Sequence, residues 1–303
     1  MLQLRNLIAS LTIGYFTFRG VTAQLNVRIP LTKQFDKFAT ETLDNWKVPG
    51  LSIAGYGFAA LPDKPVTPET LWYTASTTKA QTSPTLAHLI DSGKYPALAN
   101  GKWLRDVLKE LIWVPLDMDS TLFDLQDASH APNQLASGYH WDTKEGKYGE
   151  VPFMNVTELS GAGAIFSNVL DFAKWVKCLL HEAAPFFKEV PRDIKSSRMI
   201  EPTQLDEPSD MVTYGLGWHH SLFKGHVIYT HSGGVHTYGA QVYWLPSIRY
   251  GVVAFANTAF TSNAVEQILA WNLIQDRLKI PENERSDVKS KSDTPSTVLR
   301  NIY

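Results

Sequence analysis

Ser76-Thr77-Thr78-Lys79 and, far along the chain, Ile228-Tyr229-Thr230-His231-Ser232-Gly233-Gly234 are the two stretches whose joint reading decides the fold. A serine and a lysine three positions apart share one helix face, so the amine can reach the hydroxyl. Serine is a weak nucleophile at neutral pH and needs such a neighbour to take its proton. A lysine does this only when burial or nearby positive charge lowers its pKa from about 10.4. The S-x-x-K spacing recurs by accident, and its bland alternative is an N-cap serine beside a solvated lysine. The second stretch reads as a strand closing on two glycines. Glycine lets a substrate lie close to a strand edge and leaves backbone N–H groups open to an oxyanion.

Outward from these motifs, the elements alternate in a mixed α/β pattern. Leu31, Phe35, Phe38, Ala39, Thr42, Leu43 and Trp46 recur at helical spacing, and Val48-Pro49-Gly50 ends that helix. Residues 51–58 read as one strand, and 61–70, with three prolines, as a loop. Ser83-Pro84 is a good helix start, which would leave Ser76 to Lys79 as a turn. The reading adopted here starts the helix at Ser76. It places Pro84 inside at a cost of roughly 3 kcal/mol, with a kink near Ala80. Ser167 is positioned to cap a helix with Val169, Phe172, Ala173, Val176 and Leu180 on its apolar face. Period-two strands follow over 214–223, 226–230, 238–245 and 251–256, then a helix over 263–278 and a polar tail from 281 to 303.

Composition excludes several functions. The 303 residues are 44% hydrophobic and 12% aromatic, enough for a sizeable core in one large domain or two. A net charge of −2 with no basic run gives no electrostatic reason to expect nucleic acid. The single cysteine, Cys178, rules out an intramolecular disulfide and a cysteine-only zinc site, and its place on an apolar helix face reads as a buried thiol. His219, His220, His226, His231 and His236 lie close in sequence, but there is no H-E-x-x-H. On a strand His219 and His220 point to opposite faces, so no metal or other cofactor is expected. The acidic residues, Asp206-Glu207 among them, read as loop and surface charge.

Together with Val48-Pro49-Gly50, Leu71-Trp72-Tyr73-Thr74-Ala75, Pro115 to Thr121, Ser160-Gly161-Ala162-Gly163-Ala164, Asp171 to Trp175 and Gly251-Val252-Val253, the two motifs stand in an order that resembles one family. It is the serine β-lactamase and penicillin-binding-protein superfamily, in its class C-like esterase, D-amino-acid peptidase and acyltransferase branch. The style is that of fungal members. Such proteins carry S-x-x-K early and K-T-G or H-x-G late, on the strand facing the serine. The resemblance implies an antiparallel sheet flanked by terminal helices over residues 24–280. It also implies a nucleophilic Ser76, Lys79 as its proton acceptor, and a substrate-binding strand of His231, Ser232, Gly233 and Gly234. His231 would stand at the site rim, and the Ser76 and Gly234 amides would hold the oxyanion.

The chain also departs from the family. Its first hairpin is shortened near 54–55. At 94–102 the chain passes at once from Lys94-Tyr95-Pro96 to Lys102-Trp103, where the family inserts a helical lobe with a Y-x-N motif. None of the twelve tyrosines begins Y-x-N or Y-x-S. The expected function is acyl transfer through an acyl-serine on a small ester, amide or lactam, with reduced activity. The alternative is a non-catalytic remnant or binding scaffold.

At the N-terminus, Arg5 precedes a mostly apolar run over 7–18 and Val21-Thr22-Ala23, small residues of the kind signal peptidase accepts. The run is too short for a membrane span. Residues 1–23 therefore read as a secretion signal, the alternative being an N-terminal extension of a cytoplasmic protein. In a secreted chain, Asn155-Val156-Thr157 is a glycosylation sequon.

Overall fold

The helical spacing at the start of the chain becomes α1 (Lys33–Trp46) in the computed structural model, which describes residues 31–53, 55–91, 103–183, 185, 189–200, 212–259, 261–286 and 288. The stretch read as a signal, the 94–102 join and most of the polar tail lie outside these residues. Thr32 caps α1 by accepting from the Phe35 N–H at 3.1 Å, and Phe35, Ala39, Thr42, Leu43 and Trp46 form its buried stripe. The other helices are α2 (Lys79–Asp91), α3 (Leu104–Leu108), α4 (Leu125–His130), α5 (Ser160–Gly163), α6 (Val169–His181), α7 (Glu189–Ile194) and α8 (Ser262–Arg277). Among the described residues none is long and apolar enough to cross a membrane.

The first seven strands are β1 (Gly50–Ser52), β2 (Tyr56–Ala60), β3 (Lys64–Pro65), β4 (Trp72–Tyr73), β5 (Gly138–Asp142), β6 (Lys147–Val151) and β7 (Phe166–Ser167). They are followed by β8 (Met199–Ile200), β9 (Val212–Tyr214), β10 (His219–Phe223), β11 (His226–Val235), β12 (Tyr238–Leu245) and β13 (Tyr250–Ala256). Nine of them make one antiparallel sheet in the order β3-β2-β1-β13-β12-β11-β10-β9-β8, while β4 pairs with β7 and β5 with β6.

The core follows from the central position of β12, every residue of which is buried. On one face Trp271 of α8 meets Phe223 and Tyr243 edge-on, at 5.0 and 6.0 Å between ring centres. On the other, Phe172 of α6 stands perpendicular to Phe255 at 5.1 Å, and Trp244 stacks on Tyr229 at 4.2 Å. Such rings dominate core energetics through the area they bury.

Several expectations needed correction. Residues 51–58 are a tight hairpin, with Leu51 opposite Tyr56, and not one strand. The strand over 214–223 is broken between β9 and β10, and β11 runs on through both glycines to Val235. Asn168, not Ser167, caps α6, its side chain accepting from the Asp171 N–H at 2.9 Å. The bulkier Trp175, Cys178 and Leu179 take the core side of that helix and leave Ala173 exposed. Cys178 is buried, and burial pushes its thiol up to about 11. Just past Pro281 the Ser286 N–H donates to Gln275 Oε1 at 2.8 Å, and Val288 is buried.

Candidate active site

A helical segment does begin beside Ser76, as a 3-10 turn over Ala75–Thr78 that passes directly into α2 with Pro84 inside it. Ser83 is therefore not a helix start. Tertiary hydrogen bonds explain why the earlier turn wins. Thr74 donates to the Ile165 carbonyl through both its N–H (3.0 Å) and its hydroxyl (2.9 Å), and Thr78 Oγ1 accepts from the Ile165 N–H at 3.2 Å. Thr77 closes the turn by donating to the Thr74 carbonyl at 2.7 Å. Within this clamp Ala75 holds a left-handed φ of 48°, which costs an L-residue about 1–2 kcal/mol. From Leu71 to Ala80 every residue is buried except Ser76 and Lys79.

Lys79 Nζ stands 2.7 Å from Ser76 Oγ and donates to the Ala162 carbonyl of α5 at 3.1 Å. Burial lowers the Lys79 pKa from its ordinary value, which favours the neutral amine that can accept a proton. The structure thus brings together the two residues that the S-x-x-K spacing singled out.

The strand side is built from β11. It pairs with β12 from Tyr229 to Val235 but with β10 only as far as Thr230, so its other edge runs without a strand partner from His231 onward among the described residues. That edge meets the Ser76 turn at Gly233, where a Cβ would lie 2.6 Å from the Thr74 carbonyl oxygen and 3.1 Å from the Ser76 nitrogen. Only glycine fits there. Ser232 and Gly234 are exposed, whereas His231 and Gly233 are buried.

His231 needs a correction of place. It is part of the wall, 4% exposed, and not a rim residue. Its Nδ1 lies 2.6 Å from the Ser232 carbonyl, which can only accept, so Nδ1 carries the proton. Its Nε2 faces the Tyr214 hydroxyl at 3.4 Å, a long contact. Burial, His219 and Lys79 lower its pKa to about 4 against the opposing Ser232 bond.

Tyr214 was not anticipated, because residues 214–223 read as one strand. The overlooked signal is Gly215-Leu216-Gly217. Gly217 has φ of 71°, and its absent Cβ would sit 2.5 Å from the Lys79 carbonyl oxygen. The turn therefore packs on the Lys79 backbone and sets Tyr214 beside His231. His219 meets both Tyr214 (4.7 Å) and His231 (5.6 Å) edge-on, while His220 packs on Tyr229 at 4.8 Å. Among the described residues no group of three His, Cys, Asp or Glu side chains is arranged to hold a metal.

Ser160 and Ala164, at the two ends of the α5 segment, also line a cavity of about 780 Å³ with Tyr73, Phe123, Met154 and Phe166. Its walls are largely apolar.

The chain is similar in sequence and in fold to known proteins. An unguisins hydrolase of Aspergillus campestris is 29% identical over a match that takes in 85% of this chain and 67% of that protein. The match is 361 residues long, more than the whole of this chain, so the relative has residues inside the matched span that this chain lacks. An unguisins hydrolase of Aspergillus violaceofuscus is 33% identical over 68% of this chain, and the chain spans 38% of its length. The solved octameric penicillin-binding protein homologue from Pyrococcus abyssi superimposes with a TM-score of 0.72 at 18% identity, covering 83% of this chain and 78% of that one. The β-lactamase family model matches residues 96–275. That span begins beyond Ser76 and Lys79, whose pairing stands on its own geometry, and it takes in more than half of the sequence: the chain belongs to the β-lactamase family.

Proposed function

We propose that the chain is a serine hydrolase or acyltransferase that works through an acyl-serine at Ser76. The observation that carries this reading is the 2.7 Å separation of Lys79 Nζ from Ser76 Oγ, with burial favouring the neutral amine. Ser76 Oγ attacks the carbonyl carbon of an ester, amide or lactam, and its proton passes to Lys79. The bond to the leaving group breaks, and Lys79 returns the proton to that group. Water or an acceptor alcohol or amine then attacks the acyl-serine, again giving its proton to Lys79, and Ser76 regains a hydrogen.

The Ser76 and Gly234 amides are the proposed oxyanion donors, each such donor being worth about 10²–10³ in rate. The approach of Gly233 to the Ser76 nitrogen supports this placement. The apolar cavity beside α5 suits an apolar acyl or side-chain group. With no Y-x-N tyrosine in the sequence, Lys79 handles both proton transfers, which makes turnover slow, of β-lactams above all. The relatives named as hydrolases support hydrolysis as the outcome.

The test is turnover of a chromogenic ester. Lys79→Ala should lower it by about 10²–10⁴, and Ser76→Ala should abolish it. Equal turnover by wild type and Ser76→Ala would overturn the assignment.

A further inference from the structure

His231 and Tyr214 form a couple whose chemistry differs from that of a charged wall. The imidazole is buried, its Nδ1–H is committed to the Ser232 carbonyl, and its remaining nitrogen is turned to a phenol. It forms no ion pair with a carboxylate among the described residues. A buried imidazole without an anionic partner stays neutral, because burying an unpaired charge is costly. Among the described residues, the titratable groups facing it are Lys79 from the Ser76 side, His219 from β10 and Tyr214 from β9. Positive charge on His219 or Lys79 lowers the imidazole's pKa further.

Because Nδ1 holds the proton, Nε2 is an acceptor, and the Tyr214 hydroxyl donates to it. The phenol, like the imidazole, brings no positive charge to this wall. A substrate group lying along the free edge of β11 thus meets neutral hydrogen-bonding partners on this side. An uncharged carbonyl, hydroxyl or N–H is accommodated there. A carboxylate entering the same space loses its hydration and gains no cation from His231 or Tyr214.

We propose that the wall made by His231 and Tyr214 selects acyl substrates whose leaving group carries no negative charge, with Tyr214 as the residue that positions the imidazole. This deepens the acyl-serine reading and rests on it. The probes are phenyl acetate and 4-acetoxybenzoate, which transfer the same acetyl group and differ by a carboxylate on the leaving group. With each kcat/KM divided by the ester's hydroxide rate constant, wild type should favour phenyl acetate at least about tenfold. His231→Lys should move that ratio toward the anionic ester by a similar factor. Tyr214→Phe should change the ratio through KM rather than kcat. Equal use of both esters by wild type, or an unmoved ratio in His231→Lys, overturns the proposal.

A second readout does not need turnover. In nitrogen NMR of histidine-labelled protein, His231 should show the neutral Nδ1–H form at pH 7, and Tyr214→Phe should shift its Nε2 signal. Benzamide should perturb these signals more than benzoate. A protonated ring, a larger response to benzoate, or no response to either ligand would overturn the proposal even in a protein that fails to turn over esters. Loss of Ser76-dependent turnover with the NMR pattern intact would instead count against the acyl-serine reading alone.

Discussion

On the sheet side of the molecule Trp271 and Tyr243 have no exposed surface, whereas beyond the Ser76 turn Ile90 is 53% and Trp103 75% exposed. The first region is a jigsaw of rings between α8, the sheet and α6. The second is a set of short helices, the longest helical stretch described between α2 and α6 being residues 104–113, around open cavities. Ser76 and Lys79 sit on the seam and are fixed from both sides, by Ala162 and Ile165 of the short-helix region and by Gly233 and Gly217 of the sheet side. The geometry of the pair therefore depends on how the two regions meet.

The largest effect that would break this comparison is on stability. Trp271→Ala should cost about 3–5 kcal/mol in urea unfolding, since it empties a fully buried site between Phe223 and Tyr243. A cost below about 1 kcal/mol would show that α8 does not anchor the fold. Next in size is Gly233→Ala. The added methyl meets the Thr74 carbonyl at 2.6 Å, and overpacking of this kind costs about 1–3 kcal/mol. It should separate β11 from the Ser76 turn, so ester kcat/KM should fall by at least about tenfold. Unchanged activity would mean that the approach of strand to turn is irrelevant to the site. The smallest effect belongs to the exposed side of α2. Leu86→Ser with Ile90→Ser should change stability by no more than about 0.5 kcal/mol per residue, and should reduce aggregation of the purified protein on light scattering. A large destabilisation would mean that this face is covered.

The same contrast explains what could be read from sequence. β12 was found to the residue, and β13, α1 and α8 to within one or two residues of most ends, because their hydrophobic periods answer to one continuous core. The Ser76–Lys79 pair was legible from spacing because both residues lie on one turn. The break between β9 and β10 was not, since it exists for the fit of Gly217 against Lys79, a contact between segments far apart in sequence. Tyr214 was hidden for the same reason: its partner, His231, lies two strands away. Local pattern likewise favoured Ser83-Pro84 as a helix start, and only the threonine clamp on Ile165 decides for the earlier turn.

The central claim is that Ser76, activated by Lys79, becomes acylated. Intact-protein mass spectrometry after rapid acid quench of wild type with a chromogenic acetyl ester tests it most directly. The account predicts one added acetyl group, located on Ser76 by peptide mapping and absent in Ser76→Ala. An adduct that persists in Ser76→Ala, or Ser76-dependent turnover with no adduct at any quench time, would contradict it.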